Sequence, residues 1–429
     1  MSSRHALVSH ADGFAPVLLQ AFVPAERAPT EQSIEIGIVG DLAGVEAEWR
    51  ALEKIADGTP FQTFDWLATW QRHVGAANGN RPAIVTGRDR EGNLLFIFAL
   101  AIERKLGVRC LTWLGSALCD YNGPLLRQDF AARVGANFPL LWRQILALLR
   151  AHPDFRFDYV DLSKMVDAVG GQRNPFFDLD VQPNPNGAYV ANLGDNWDAY
   201  YAAKRSGPTR KKERKQLKQL GEHGAVAFST VHEPADIAAT VETLMMQKSR
   251  SFTRLGVANN FERPGHRAFY LDLVSNPQAQ DLIEVSRLDV GATIAATSLG
   301  LRFGDGYYLV LSSYQDGELA RFGPGRAHLN ELIRHTIDAK MRRFDFTIGD
   351  EPYKRDWADG VVRPHDHLAA ATLRGRAMVA AILGFRAAKR FVKQTPMLWE
   401  AYSRLRAWRG ARAAGKQTAV PVADNAEAE

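Results

Sequence analysis

Between Gly306 and Asp350 four features follow one another with little slack. They are a β-rich run (GYYLVLSSYQ), a glycine turn (ARFGPGR), an amphipathic helix (HLNELIRHTIDAKM) and an alternating strand (RRFDFTIGD). The helix rests on Leu329, Leu332, Ile333, Thr336 and Ile337, which share one face at the i, i+3, i+4 spacing. In the strand, alternation points Phe344, Phe346 and Ile348 one way and Asp345 and Thr347 the other. The result is a strand–helix–strand unit with a glycine-rich entry to its helix.

That entry has a chemical use. A helix N-terminus leaves N–H donors unpaired and carries partial positive charge. Gly323 and Gly325 let the backbone approach an anion, and Arg321 and Arg326 flank the turn, so the segment suits a pyrophosphate. It is neither a Walker A loop nor a GxGxxG fingerprint. On spacing alone, a Gly-Pro-Gly turn before a helix serves equally well as a plain turn.

The chain of 429 residues is long enough for two or three domains, and 46% hydrophobic content excludes a wholly disordered or collagen-like polymer. Two cysteines, Cys110 and Cys119, allow one bridge at most and no zinc quartet, a usage that fits a reducing compartment. The N-terminus lacks the tripartite form of an export signal, and no run approaches the roughly 18 apolar residues of a membrane span. The expectation is a cytoplasmic protein, with any membrane contact peripheral.

Two halves look alike in outline. Strand candidates at 83–88 and 94–103 enclose a turn at Gly92, and those at 282–287 and 293–303 enclose one at Gly291 on the same offset. Earlier in the first half, 33–39 alternates as a strand, 43–55 reads as a helix, and FQTFDWLATWQRHVG as a second helix. A Pro/Asn cluster at 182–190 marks the boundary. The division expected is a flexible arm (1–33), two domains (34–185 and 186–372), a basic helical extension (373–409) and a disordered tail (410–429).

ARFGPGRAHLNELI, followed by RRFDFTIGDEPYKRDW, resembles the C-terminal signature of the acetyltransferases grouped with CelD-type cellulose-biosynthesis proteins. These form part of the GNAT superfamily and are similar in plan to the Fem-type peptidyltransferases. FQTFDWLATW, LTWLGSALCDYNGPLL and SGPTRKKERKQLKQL agree with the same pattern, which covers residues 61 to 368. The resemblance implies an α+β fold of two tandem GNAT-like domains and acyl transfer from acyl-CoA, such as acetyl-CoA, to an amine or hydroxyl. It implies a small-molecule or glycan acceptor, in exopolysaccharide or cellulose synthesis, and no metal. It carries Arg321, Phe322, Gly323, Gly325 and Arg326 over as the donor loop, with Tyr314 beside it. Pro324 departs from the common loop and removes one N–H donor.

Acyl transfer needs a deprotonated nucleophile, a polarised carbonyl and a protonated leaving group. Asp350, Glu351, Tyr353 and Lys354 follow the strand in one short loop. Asp350 or Glu351 is the candidate base, Tyr353 the candidate acid, and Lys354 a counter-charge for donor or substrate. Asp120, Tyr121 and Trp357 are candidates for lining the acceptor site; turn punctuation and packing are their structural alternatives.

Basic residues cluster at Lys204, Arg205, Arg210, Lys211, Lys212, Arg214, Lys215 and Lys218, without interleaved aromatics. A solvated helix face is the simpler reading, and a nucleic-acid partner is not expected. After residue 373 arginines alternate with Met378, Ile382, Phe385 and Phe391, a pattern that either packs on the protein or lies on an anionic membrane. His365 and His367 lack a third metal ligand at useful spacing. Two other readings stay open: a non-catalytic GNAT-fold binding module, and a Fem-type aminoacyl transferase using charged tRNA.

Overall fold

The computed structural model describes residues 19–22, 34–116, 118–134 and 137–395. The C-terminal tail and most of the N-terminal arm lie outside these. From the arm, Leu19–Phe22 (β1) pairs antiparallel with Glu35–Val39 (β2).

The first half continues through Glu46–Glu53 (α1) and Phe64–Trp70 (α2) to three strands. These are Arg81–Arg88 (β3), Leu94–Lys105 (β4) and Val108–Trp113 (β5), antiparallel in sequence. Phe138–Ala151 (α3) then crosses to Tyr159–Met165 (β6), which runs parallel to β5. Val181–Pro183 (β7) ends the half.

The second half repeats the scheme. Ala188–Asn192 (β8), Trp197–Lys204 (α4), Gly207–Gly221 (α5), Val226–Val231 (β9), Pro234–Leu255 (α6) and His266–Ser275 (α7) come first. An antiparallel run of Ile283–Val290 (β10), Thr293–Phe303 (β11) and Gly306–Tyr314 (β12) follows. Pro324–Asp338 (α8) crosses to Arg343–Ile348 (β13), parallel to β12. The parallel rungs end on Thr112–Asp161 in one half and Tyr308–Asp345 in the other. Helix α8 buries Leu329, Leu332, Ile333, Thr336 and Ile337 against Phe344 and Phe346, so the 3.6-residue period is used as its spacing predicts.

The expected helix across FQTFDWLATWQRHVG breaks into three pieces: a 3₁₀ turn, α2, and a π-helical turn over Gln71–Gly75. That last turn meets the other half, with His73 Nε2 at 2.8 Å from Asp272 Oδ2. Trp66 stacks edge-on against Phe269 at 5.0 Å, and one apolar cluster runs through both halves.

Sheet membership corrects the expected boundary at residue 372. Gly360–Val362 (β14) pairs with β8 in the second sheet, but His365–Ala370 (β15) pairs with β6 and β7 in the first. The chain therefore crosses between halves twice, at 184–187 and at 363–364. The crossings are tied together: Asn184 N–H donates to the Pro364 carbonyl at 2.8 Å, and Asn184 Nδ2 to Asp366 Oδ1 at 2.8 Å. Strand pairing is non-local, so no local pattern reveals the partner of β15.

Leu373–Gln394 (α9) lies on β15 and the first sheet, where Arg386 pairs with Asp366 at 3.1 Å. Leu383, Phe385 and Phe391 stay exposed on it. His365 and His367 turn their Nδ1 atoms to the carbonyls of Arg363 and Asp180. Among the described residues, no group of three or more His, Cys, Asp or Glu is placed to hold a metal ion, and no helix is long and apolar enough to cross a membrane. Cys110 and Cys119 are both free and buried.

Without β15, β6 loses a paired neighbour and presents an open edge. Residues 34–185 expressed alone should be unfolded or aggregated by circular dichroism and gel filtration, and co-expression with 186–395 should recover a soluble complex. A folded, monomeric first half would contradict this interlocking.

Candidate active site

Strands β12 and β13 pair only from Gly306–Arg343 to Tyr308–Asp345, then diverge. The last link across them is Thr347 Oγ1, which donates to the Leu309 carbonyl at 2.9 Å. Thr347 sits at φ +57°, a left-handed conformation costly for a β-branched residue. Asp345 holds it there by accepting its N–H at 2.8 Å.

The gap beyond Thr347 has polar walls. From α6, Lys248 donates through Nζ to the Ser312 carbonyl on β12 at 3.1 Å. Following β13, Lys354 donates to the Ile348 carbonyl at 3.1 Å and pairs with Glu351 at 3.0 Å. Tyr353 leaves part of its ring exposed.

The first half closes the remaining side. Tyr121 donates its hydroxyl to Asp345 Oδ1 at 2.8 Å across the two halves. Asp120 is partly exposed beside it. Beneath their turn lies Lys164, at φ +60°, whose Nζ donates to the carbonyls of Ser116 at 3.1 Å and Cys119 at 2.6 Å.

Burial sets the electrostatics. It lifts the Asp345 carboxyl to about 6 against the pull of Arg343, Tyr121 and the Thr347 amide. It also raises Asp120, opposed by Lys164, the Thr347 hydroxyl and Lys354. It lowers the Lys248 ammonium, which Glu351 and Asp120 partly offset. Burial and the nearby Glu351 push Tyr353 up to about 12, with Ser312 opposing. Low dielectric and closely spaced charges of both signs are where proton transfer is most easily tuned.

The glycine turn lies at the open end of β12. Glu318–Phe322 forms a 3₁₀ turn, Gly323 adopts φ +69°, and α8 starts at Pro324. A Cβ on Gly325 would stand 3.0 Å from Tyr314 Cδ1, so this glycine lets the helix approach the Tyr314 ring. The N–H groups of Arg326 and Ala327 turn back onto the Gly323 carbonyl at 3.0 and 3.1 Å. With Pro324 lacking a donor, the cradle depends on the Gly325 amide and on arginine side chains.

Helix α5 packs beside this turn, enclosing a recess of about 130 Å³ lined by Arg214, Gln216, Phe322, Gly323 and Arg326 among others. Arg326 Nη1 donates to Gln216 Oε1 at 2.9 Å. Lys204 and Arg205 turn inward instead, Lys204 to Asp359 at 2.5 Å and Arg205 to Glu213 at 2.5 Å. The basic run is thus partly structural and partly adjacent to the glycine turn. Gly323, Gly325, Arg326, Cβ-facing Tyr314 and a guanidinium from α5 fit a diphosphate, with charge replacing missing amides.

Of the residues singled out from sequence, Asp120, Tyr121, Glu351, Tyr353 and Lys354 meet at the gap. Tyr314, Arg321, Phe322, Gly323, Gly325 and Arg326 meet at the turn. Asp350 is exposed. Trp357 does not line the gap: it is buried, stacked on Trp197, Tyr200 and Tyr201, with the Arg205 guanidinium 5.2 Å over its ring. Asp345, Lys248 and Lys164 were not singled out. Alternation assigns Asp345 to the polar side of β13, but that side faces Tyr121 and is buried.

Fold and site together define a mixed α+β protein of two GNAT-like units whose second unit opens at the β12–β13 split. Residues 208–355 match the family described as the acetyltransferase (GNAT) domain. Among solved structures, FemX aligns at 10% identity and a TM-score of 0.52, covering 76% of this chain and 95% of that one. L-PGS from Bacillus licheniformis aligns at 12% identity, over 85% of this chain and 99% of that one, with a TM-score of 0.47. A tandem GNAT protein from the clavulanic acid pathway aligns at 11% identity over 79% and 99%, with a TM-score of 0.42. No curated protein matches the chain.

The lifted Asp345 gives a pH signature. Its carboxyl goes from 3.8 to about 6, so the folded state binds this proton more tightly than the unfolded chain does. Stability should fall as pH rises from about 4 to about 6, by at most ~3 kcal/mol, then level off. Asp345→Asn keeps an acceptor for Tyr121 and Thr347 while removing the charge. Its melting temperature relative to wild type should rise between pH 4 and pH 8; a pH-independent difference would contradict the assignment.

Proposed function

We propose that this protein is an acyltransferase that moves an acetyl or other acyl group from acyl-CoA to an amine or hydroxyl. The observation that carries the reading is the coincidence of the β12–β13 gap, Tyr353 and the glycine turn of α8 at the C-terminal ends of two central strands of the second sheet. A thioester carrier would place its diphosphate at Gly325, Arg321 and Arg326 and its pantetheine arm in the gap. The match of residues 208–355 to the GNAT domain supports this donor.

At the gap, Asp120 takes the acceptor's proton, because burial raises its pKa toward that of a useful base. The acceptor attacks the thioester carbonyl, and Lys248 faces the negative charge that develops on its oxygen. As the carbon–sulfur bond breaks, Tyr353 gives its proton to the leaving thiolate; a hydroxyl near 12 holds that proton until it is needed. Glu351 is engaged with Lys354, which makes it the weaker candidate for the base. Tyr121 and Asp345 position Asp120 and Thr347 without reaching the reacting atoms. The CelD-type resemblance supports a glycan acceptor in polysaccharide synthesis.

Two variants separate binding from chemistry. Gly325→Trp should abolish acetyl-CoA binding by calorimetry with an unchanged circular dichroism spectrum. Tyr353→Phe should keep donor affinity and lower thiol release with a panel of amino sugars by roughly 10²–10⁴-fold. Unchanged acetyl-CoA binding in Gly325→Trp would contradict the donor site. Full thiol release by Tyr353→Phe would contradict its role as the acid.

A further inference from the structure

At the end of the first sheet remote from the gap lies a recess of about 750 Å³. Arg104, Arg109, Arg150, Arg156 and Arg374 line it. They come from β4, β5, the end of α3, the loop before β6 and the start of α9. Asp158 is the one carboxylate in the lining, and both of its oxygens are already engaged. Oδ2 accepts the Arg109 N–H at 3.0 Å, and Oδ1 accepts the Thr372 hydroxyl at 2.8 Å. Arg104, Arg150, Arg156 and Arg374 have no ion pair with any described residue.

Two features of this recess cost the fold stability, although Arg109 Nη1 also donates to the Pro153 carbonyl at 3.3 Å. Arg104 and Arg109 are direct cross-strand partners, an arrangement of like charges that weakens the β4–β5 hairpin. The hairpin turn is Leu106–Gly107, with φ +52° and +78°, a two-residue turn that favours Asn-Gly. Leucine is strained at such a position, and Leu106 is 94% exposed, so it gains nothing from burial. Leu373, between Thr372 and Arg374 on the same rim, is 79% exposed.

We propose that this surface docks the protein on a bilayer leaflet rich in anionic phospholipid. The arginines engage headgroup phosphates, while Leu106 and Leu373 enter the boundary between headgroups and acyl chains. A nucleic acid fits less well, because the one aromatic residue of the lining, Phe157, is buried and offers no stacking face. Strands β5 and β6 both run from this recess toward the turn that carries Asp120 and toward Lys164. Six or seven residues of strand put the gap about 20 Å from the lipid plane. The proposal is independent of the acyl-transfer reading, since no residue of the gap takes part.

Flotation of the full chain with vesicles tests it. At about 0.15 M salt the protein should float with vesicles holding about 30% phosphatidylglycerol and stay behind with pure phosphatidylcholine. The double variant Arg150→Glu, Arg156→Glu should lose at least tenfold in bound fraction. Leu106→Asn should lose severalfold with an equal or higher melting temperature, which rules out misfolding as the cause. Absence of binding to the anionic vesicles would overturn the proposal, as would unchanged binding by both variants. If Leu106→Asn binds vesicles as wild type does, while millimolar inorganic phosphate or a short RNA displaces them, the surface is a free-anion or nucleic-acid site and the lipid proposal fails.

Discussion

The double crossing of the chain between its halves is the constraint from which the rest follows. Because β15 comes after the second sheet in the chain yet pairs with β6 and β7, the first sheet is incomplete without a strand from beyond the boundary. The bond between Asn184 and Pro364 closes the two crossings on each other. Separating the second half from the first would cost the ladder hydrogen bonds of β15 with β6 and β7. The Tyr121–Asp345 contact, which spans the boundary at 2.8 Å, is therefore held by strand pairing remote from it.

That rigidity explains how the gap tolerates its own chemistry. Asp120, Asp345, Lys164, Lys248 and Lys354 are charged groups in a poorly solvated place, and Thr347 and Lys164 are strained non-glycine residues. None of this favours folding: buried charges and left-handed β-branched residues persist only where the surroundings over-determine them. The apolar continuity from Trp66 to Phe269, and the helix-on-sheet packing of α8, are large enough to hold them. The strain at Thr347 lies where β12 and β13 part, which is where a bound group would lie.

Much of the fold was legible because it is local. The face of α8 shows through its 3.6 period, and the two hairpins show through Gly92 and Gly291. The partner of His365–Ala370 was not, because a strand's neighbour is decided by residues two hundred positions away. Asp345 shows the same limit: alternation turns it away from Phe344 and Phe346, but its contact with Tyr121 of the other half is not visible in any local pattern. Lys248 left a usable signal. It extends the buried Val241, Leu244 and Met245 of α6 on the same helical face, and a lysine interrupting such a stripe points into the protein. Trp357 shows the opposite error, an aromatic residue in a promising loop that folds back to stack on Trp197 and Tyr200.

We propose that the split between β12 and β13 is a slot for a thioester carrier. A crystal structure with coenzyme A tests it directly. The diphosphate should lie within hydrogen-bond reach of the Gly325 amide and the Arg321 and Arg326 side chains, with the pantetheine arm between the two strands and its sulfur near Tyr353. Coenzyme A bound elsewhere, or β12 and β13 paired beyond the Tyr308–Asp345 rung so that no slot remains, would contradict it.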